Sequence, residues 1–250
     1  MDRDELRDKA IEETREELGG DVDRVKMASK AVKILDRYET SFREQMEDFR
    51  DWYSLHFPEL VEEISDDEHL VKILDRGLER SELDAFESMA DDSTGSELRE
   101  KDLEMLEEVF EDLKQSREIT GRLEKYIREV VEDEMPNLGT LLGPLLAARL
   151  VSLAGGLEDL AKKPSSTIQV LGAEKALFRY LHGEGTPPKH GILFKHSFVN
   201  TLPEDRRGKM ARFIANKAAM AARLDFYGDK QRGDELRAEC QEKFQELKEG

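Results

Sequence analysis

Between Val25 and Tyr53 the apolar side chains recur at alternating spacings of three and four residues. Val25, Ala28, Val32, Leu35, Phe42, Met46, Phe49 and Tyr53 make the series, and only Glu39 interrupts it at a seam position. At ~100° per residue such spacing gathers all of them on one side of an α-helix, whereas a strand would need period two. A stripe this long and narrow is the seam of a coiled coil, so the chain must supply a partner helix. Pro58 sets the end of the first helix, because the residue before a proline is biased away from helical backbone. Trp52, Tyr53, His56 and Phe57 at that end read as packing residues.

The partner is expected within the same chain. A shorter helical segment around His69–Ala90 is followed by the loop DDSTGS at 91–96, and from Glu97 the positions Leu103, Leu106, Phe110 and Leu113 form a second stripe. Ile119, Leu123, Tyr126 and Val130 continue it after a phase shift near Ser116–Gly121, as a stutter would produce. The simplest arrangement folds 67–90 back on 97–134 as an antiparallel hairpin. Pro136 starts a fresh helix, and the Leu- and Ala-rich run to Leu160 reads as core with Arg149 snorkelling or ion-paired inside it. Pro144, Arg149 and glycines interrupt Leu138–Leu157, so a buried helix pair is expected there and no membrane span. Residues 1–20 read as a short charged helix or frayed arm without a secretory h-region. The lone Cys240 excludes an internal disulfide and fits a reducing, cytoplasmic setting. The fold class that follows is all-α.

Charge divides the chain unequally. Residues 161–233 hold 14 Lys and Arg against 6 Asp and Glu, +8, in a chain of −18, so the remainder carries −26. A cationic surface on an acidic scaffold points to an anionic partner, nucleic acid first. Ser165, Ser166 and Thr167 are N-cap candidates for a helix over Thr167–His182, with Val170, Ala173, Leu177 and Leu181 on its apolar face. Lys175, Arg179 and His182 lie opposite, and Gly172 and Ala176 border them with little bulk, so that a sugar-phosphate backbone can come close. A second helix begins at Pro203, with Glu204 and Asp205 complementing its dipole. Lys209, Arg212, Asn216 and Arg223 share one of its faces, and Ala211, Ile214, Ala218 and Ala222 the other. The glycine- and proline-rich loop between the helices carries His190 and His196, suited to stacking on bases or bonding phosphate. Their six-residue spacing, without nearby Cys or carboxylate, is no zinc pattern.

Several ordered motifs sharpen this reading. LGPLLAARLVSLAGGLEDLAKKPSSTIQVL, GAEKALFRYL, PPKHGILFKHSFV and RRGKMARFIANKAAMAARLDFYG, with DWYSLHFPEL upstream, resemble the Nop-domain family. That family comprises the archaeal box C/D ribonucleoprotein scaffolds, the eukaryotic nucleolar Nop proteins and a spliceosomal protein of the U4 particle. The resemblance covers most of residues 25–230. It implies an antiparallel coiled-coil arm plus a helical Nop domain, without catalytic activity, cofactor or metal. The implied organisation is a short charged N-terminal arm (1–24), a coiled-coil dimerisation region (25–134), a Nop domain binding RNA and protein (135–230), and a charged C-terminal tail (231–250).

The resemblance further implies a scaffold for RNA-guided 2′-O-methylation. Its Nop domain would read a composite of kink-turn guide RNA and the ribosomal-type protein bound to it. The arm would form a homodimer through its tips, around residues 80–110. The expected contacts are Lys175 and Arg179, then Lys189, His190 and His196 of the loop, then Arg206, Lys209, Arg212, Asn216 and Arg223. A fibrillarin-type methyltransferase using S-adenosylmethionine is the enzyme such scaffolds hold through a domain ahead of the coiled coil. About two dozen residues precede the stripe here, so stable docking of that enzyme on this chain is not expected. No P-loop, G-x-G-x-x-G, H-E-x-x-H or nucleophile elbow occurs in the sequence. The competing reading is a coiled-coil adaptor whose basic domain docks acidic proteins and has no RNA role.

Overall fold

A computed structural model describes Arg7, residues 23–228 and residues 231–249, and every regular element among them is helical. The expected helix or arm over residues 1–20 lies, Arg7 apart, outside the described residues. The chain divides into two compact units: Ile34–Glu124, and Met1–Lys33 with Lys125–Gly250. The division falls inside both long helices, α1 (Arg24–Tyr53) and a later one.

In the first unit, α1 is followed by α2 (Pro58–Glu63), α3 (Asp67–Leu74), 3-10 turns at Arg80–Glu82 and Asp84–Phe86, α4 (Glu87–Asp91) and the start of α5 (Glu100–Glu134). The helical segment expected around His69–Ala90 is therefore present only as short, separate pieces. Asp66 caps α3 by accepting the His69 N–H at 2.7 Å, but Gly77 breaks the segment and short turns follow. The partner of α1 is α5. Phe49 meets Phe110 at 5.6 Å between ring centroids, and Arg117 lies over the Phe42 ring at 5.8 Å, so rising numbers on one helix face falling numbers on the other. Phe42, Met46, Phe49, Tyr53, Leu106 and Phe110 fill the core, joined by Leu60, Leu70 and Leu74 from the intervening helices.

The stutter in α5 disappears as well. Buried positions run Leu106, Phe110, Leu113, Thr120, Ile127 and Val131, an alternation of four and three that continues through half-buried Arg117 and Glu124, with Val130 of the expected shifted stripe buried beside Val131. The sequence suggested a phase shift because polar residues occupy the seam there. Thr120 meets its own need by donating to the Ser116 carbonyl at 3.0 Å. Glu59, at the start of α2, accepts from the Thr94 N–H (2.7 Å) and from the Thr94 and Ser93 hydroxyls (2.8 and 2.7 Å). These bonds to the charged form hold its carboxyl down at about 2.

In the second unit α5 leads into α6 (Pro136–Leu142), α7 (Pro144–Ala154), α8 (Leu157–Lys162), α9 (Ser165–Val170), α10 (Glu174–Leu181), α11 (Ser197–Asn200), α12 (Glu204–Tyr227) and α13 (Gly233–Glu249). Helices α6 and α7 meet at a bend of 116°, and no single described helix is long and apolar enough to cross a membrane. The centre of the unit is α12, which packs against α6, α8, α9, α11 and α13. Met210, Ala211, Ile214, Ala215, Ala218, Ala219, Ala221 and Ala222 are all buried along it. Small side chains on several faces let that many neighbours reach one helix, because interaxial distance is set by the residues at the contact. Near its end Asp225 accepts from the Asn137 N–H (3.0 Å), the Asn137 Nδ2 (2.7 Å) and the Leu138 N–H (2.9 Å), which satisfies the start of α6. Burial nonetheless pushes its carboxyl above the ordinary value.

The segment read as a charged tail is the helix α13, and it belongs to this unit. Leu236 and Cys240 are buried, Phe244 stacks on Phe198 at 4.9 Å, and Lys217 pairs with Glu239 across to α12. Its three- and four-residue apolar spacing was partly hidden by the many charges on its outer side. Burial raises the Cys240 thiol to about 12.

Candidate nucleic-acid interface

The interface is built on α9, α10, the loop after it and α12. The continuous helix expected over Thr167–His182 is two helices. Ser165 is the first residue of α9 after Pro164, and no side-chain cap forms. Leu171 turns inward and is buried, and Gly172 then takes φ +84°, a left-handed conformation that L side chains rarely adopt. The Gly172 N–H donates to Glu174 Oε1 at 2.7 Å, which starts α10 in a new direction.

None of the α10 residues is buried. Lys175 and Arg179 are exposed as expected, and on the apolar side Val170, Ala173 and Leu177 are half-buried, but Leu181 at the end of that side is 71% exposed, and Phe178, outside it, is 62% exposed. The His182 ring stacks on Phe178 at 4.1 Å. Periodicity identified the two sides of the helix, but the break at Gly172 separates α10 from α9 and leaves its apolar side only half covered, with Leu181 open to solvent.

Three bonds pin the loop to α9. Gln169 Nε2 donates to the Lys189 carbonyl (2.7 Å), the Gly191 N–H to the Gln169 carbonyl (2.8 Å), and the Ile192 N–H to the Leu171 carbonyl (2.7 Å). A Cβ on Gly191 would stand 1.9 Å from the Leu171 carbonyl oxygen, so only glycine permits this approach. The consequence is that Lys189 reaches both basic helices. One groove is bordered by Arg179, Lys189 and His190, and a second by Lys189, Lys209 and Arg212, with Pro187 and Pro188 common to both.

The remaining residues differ in their situation. His190 is half-buried, stacked on Phe194 at 4.9 Å, and burial together with Arg207 lowers its pKa. His196 must be corrected, since it is 9% exposed and works as a structural cap. Its Nε2–H donates to the Leu141 carbonyl at 3.3 Å and its Nδ1 accepts the Phe198 N–H at 3.1 Å at the start of α11, which occupies both ring nitrogens. Burial lowers its pKa too. Arg206 is also committed within the protein, its Nη1 donating at 2.7 Å to the Leu247 carbonyl near the end of α13. Lys209, Arg212, Asn216 and Arg223 share the exposed side of α12 as the spacing required. Arg223 lies ~21 Å along the axis from Lys209, borders neither groove, and donates from Nε to the Ala161 carbonyl at 3.1 Å.

Sequence reasoning passed over Phe178 and Arg207, and it placed Leu181 on the inner side. Arg207 donates to the Leu202 carbonyl at 2.8 Å and lies over the Phe194 ring at 5.4 Å, fixing the loop's far end. The signal for the exposure of Phe178 and Leu181 was Gly172 itself, the helix breaker that opens GAEKALF. Among the described residues, no group of three or more His, Cys, Asp or Glu could hold a metal ion.

The family model described as Nop, snoRNA binding domain, fibrillarin, matches residues 34–246. An uncharacterized NOP5 family protein of Methanocaldococcus jannaschii is 37% identical over 234 residues, covering 88% of this chain and 56% of its own length. Nucleolar protein 58 of Schizosaccharomyces pombe is 34% identical over 218 residues, 82% of this chain and 43% of that protein. Human nucleolar protein 56 is 30% identical over 239 residues, 87% and 40%. A solved fibrillarin/Nop5p complex contains a chain 28% identical to this one, with a TM-score of 0.47 over 86% of this chain and 78% of that one. The chain thus spans about half the length of the curated relatives it matches. With 34–246 matched as one continuous stretch, from the α1–α5 pair through the basic helices to α13, the chain belongs to the Nop family.

Proposed function

We propose that this chain is a non-catalytic scaffold of a box C/D-type ribonucleoprotein for RNA-guided 2′-O-methylation, and that its second unit reads kink-turn guide RNA together with the protein bound to it. The observation that carries the reading is the juxtaposition on α10 of exposed Lys175 and Arg179 with exposed Phe178 and Leu181, beside the grooves of the Lys189 loop and α12. Cations alone would give a contact that salt weakens steeply. Apolar and aromatic side chains add stacking and burial that salt does not screen, which a composite RNA–protein surface would use. The proposed RNA contacts are Lys175, Arg179, Lys189, His190, Lys209 and Arg212, with Asn216 and Arg223 farther along α12. His196 and Arg206 hold the loop and α13 in place behind them.

The proposed assembly includes self-association through the end of the first unit, and, against the expectation drawn from the sequence, fibrillarin, which the family description names. Met105, which is exposed near that end, is the position at which a charge would test the self-association. The deciding experiment is a gel shift with a kink-turn RNA, with and without its kink-turn protein. Weak binding to RNA alone and tight binding to the RNA–protein complex is the expected result. Binding that survives nuclease treatment and ignores the RNA would instead identify a protein adaptor.

A further inference from the structure

The beginning of α1 has a charge pattern that the proposed interface does not use. Residues 24–33 carry Arg24, Lys26, Lys30 and Lys33 and no carboxylate, in a chain with 57 Asp and Glu against 39 Lys and Arg. Lys26, Lys30 and Lys33 fall within an arc of ~60° along ~10 Å of helix axis, so they present one continuous cationic strip. All three are exposed, and none forms an ion pair with a described residue, whereas Arg24 is tied to Asp133 and Glu134.

Together these lysines form one wall of a groove whose other wall is the Gly155–Gly156 turn, with Phe226 at its edge. The carboxylates nearby are largely engaged. Asp23 accepts the Lys26 N–H at 2.9 Å as a helix cap, and Glu158 pairs with Lys162 at 2.5 Å, which leaves Asp159. Phe226 is 40% exposed and Tyr227 65%, and their rings meet edge to face at 4.7 Å. A cationic track beside exposed aromatic rings is how proteins hold single-stranded nucleic acid: ammonium groups follow the phosphates and rings stack on the bases. An acidic protein would be served by the lysines alone and would give the rings no such part. The groove shares no lining residue with either groove of the α10–α12 interface.

We propose that Lys26, Lys30 and Lys33, with Phe226, form a second RNA-binding surface that takes a single-stranded segment independently of the α10–α12 interface. The test is fluorescence anisotropy of a labelled twelve-residue oligouridylate with the full chain, in a Lys175→Ala/Arg179→Ala background so that the other interface cannot report. Replacing all three lysines by Ala should weaken binding and lower the slope of log affinity against log salt by about 2, as three fewer phosphate contacts on a single strand would. Phe226→Ala should weaken binding at least about fivefold with the slope unchanged, and Phe226→Trp should restore it. Circular dichroism should show every variant folded, since all four positions are exposed and Ala favours the helix. Oligouridylate binding unchanged by the lysine substitutions overturns the proposal. So does equal competition by polyglutamate with no effect of Phe226→Ala, which would make the strip a dock for acidic protein.

Discussion

The two units solve the same problem, covering helices with helices, using opposite side-chain sizes. The first unit fills the space between α1 and α5 with Phe42, Phe49, Tyr53, Phe57 and Phe110, and its stability resides in a few large groups. The second surrounds α12 with neighbours through six buried alanines, and its stability resides in close approach. Large residues suit a long helix pair whose gap is filled from both sides and capped by the leucines of short helices. Alanines suit a helix that must touch five others and still offer Lys209 and Arg212 to solvent. The first unit should therefore be sensitive to truncation and the second to enlargement.

The largest effect is expected for Phe49→Ala, ~3–5 kcal/mol lost from a fully packed aromatic. Trp52, the single tryptophan, lies in the same unit and supplies the readout: its fluorescence midpoint in urea should fall sharply. Ala218→Leu should cost ~1–3 kcal/mol by overpacking α12, and circular dichroism should detect it while the Trp52 midpoint stays in place. If Ala218→Leu moves the Trp52 transition equally, the units unfold as one and the contrast drawn here fails. Lys175→Ala with Arg179→Ala addresses the surface of α10. Affinity for the RNA–protein complex should drop by ~1–3 kcal/mol with hardly any change in melting, because both side chains are exposed. Equal binding by parent and double variant would reduce the basic face to a solvated one.

Acid should separate the units by a smaller margin. In the second unit His196 must stay neutral to accept the Phe198 N–H, and its pKa is lowered. A depressed histidine contributes stability above its ordinary 6.5 and loses it as pH falls below that value. Glu59 in the first unit is held at about 2, so its contribution is full above 4.5 and is lost only as pH falls from there towards 2. Between pH 6.5 and 4.5 the second unit should weaken first. A His196→Gln variant with an unchanged acid profile would assign the weakening elsewhere, His190 being the next group to examine.

What the sequence determined by itself is what periodicity and composition carry locally. The α1 stripe, the end of α1 ahead of Pro58, the helix start at Pro136 and the buried and exposed sides of α12 follow from spacing alone. So does the concentration of cations between 161 and 233. The ordered motifs likewise identified the family. Tertiary structure decided what spacing cannot express. The pairing of α1 with α5 was open to several apolar stripes and was settled where Phe49 meets Phe110. Polar residues in the α5 seam looked like a register break until a facing helix defined which side was inside. A left-handed glycine at 172 broke the expected single helix, so that Leu181 is exposed although it shares a side with the half-buried Leu177. His196 and Arg206 are polar residues in a basic segment, and only the approach of Leu141 and Leu247 made them internal supports. The C-terminal segment became part of the core once α12 and Phe198 supplied apolar surface to cover. Periodicity states that a helix has two sides; which of them is buried depends on residues far away in the chain.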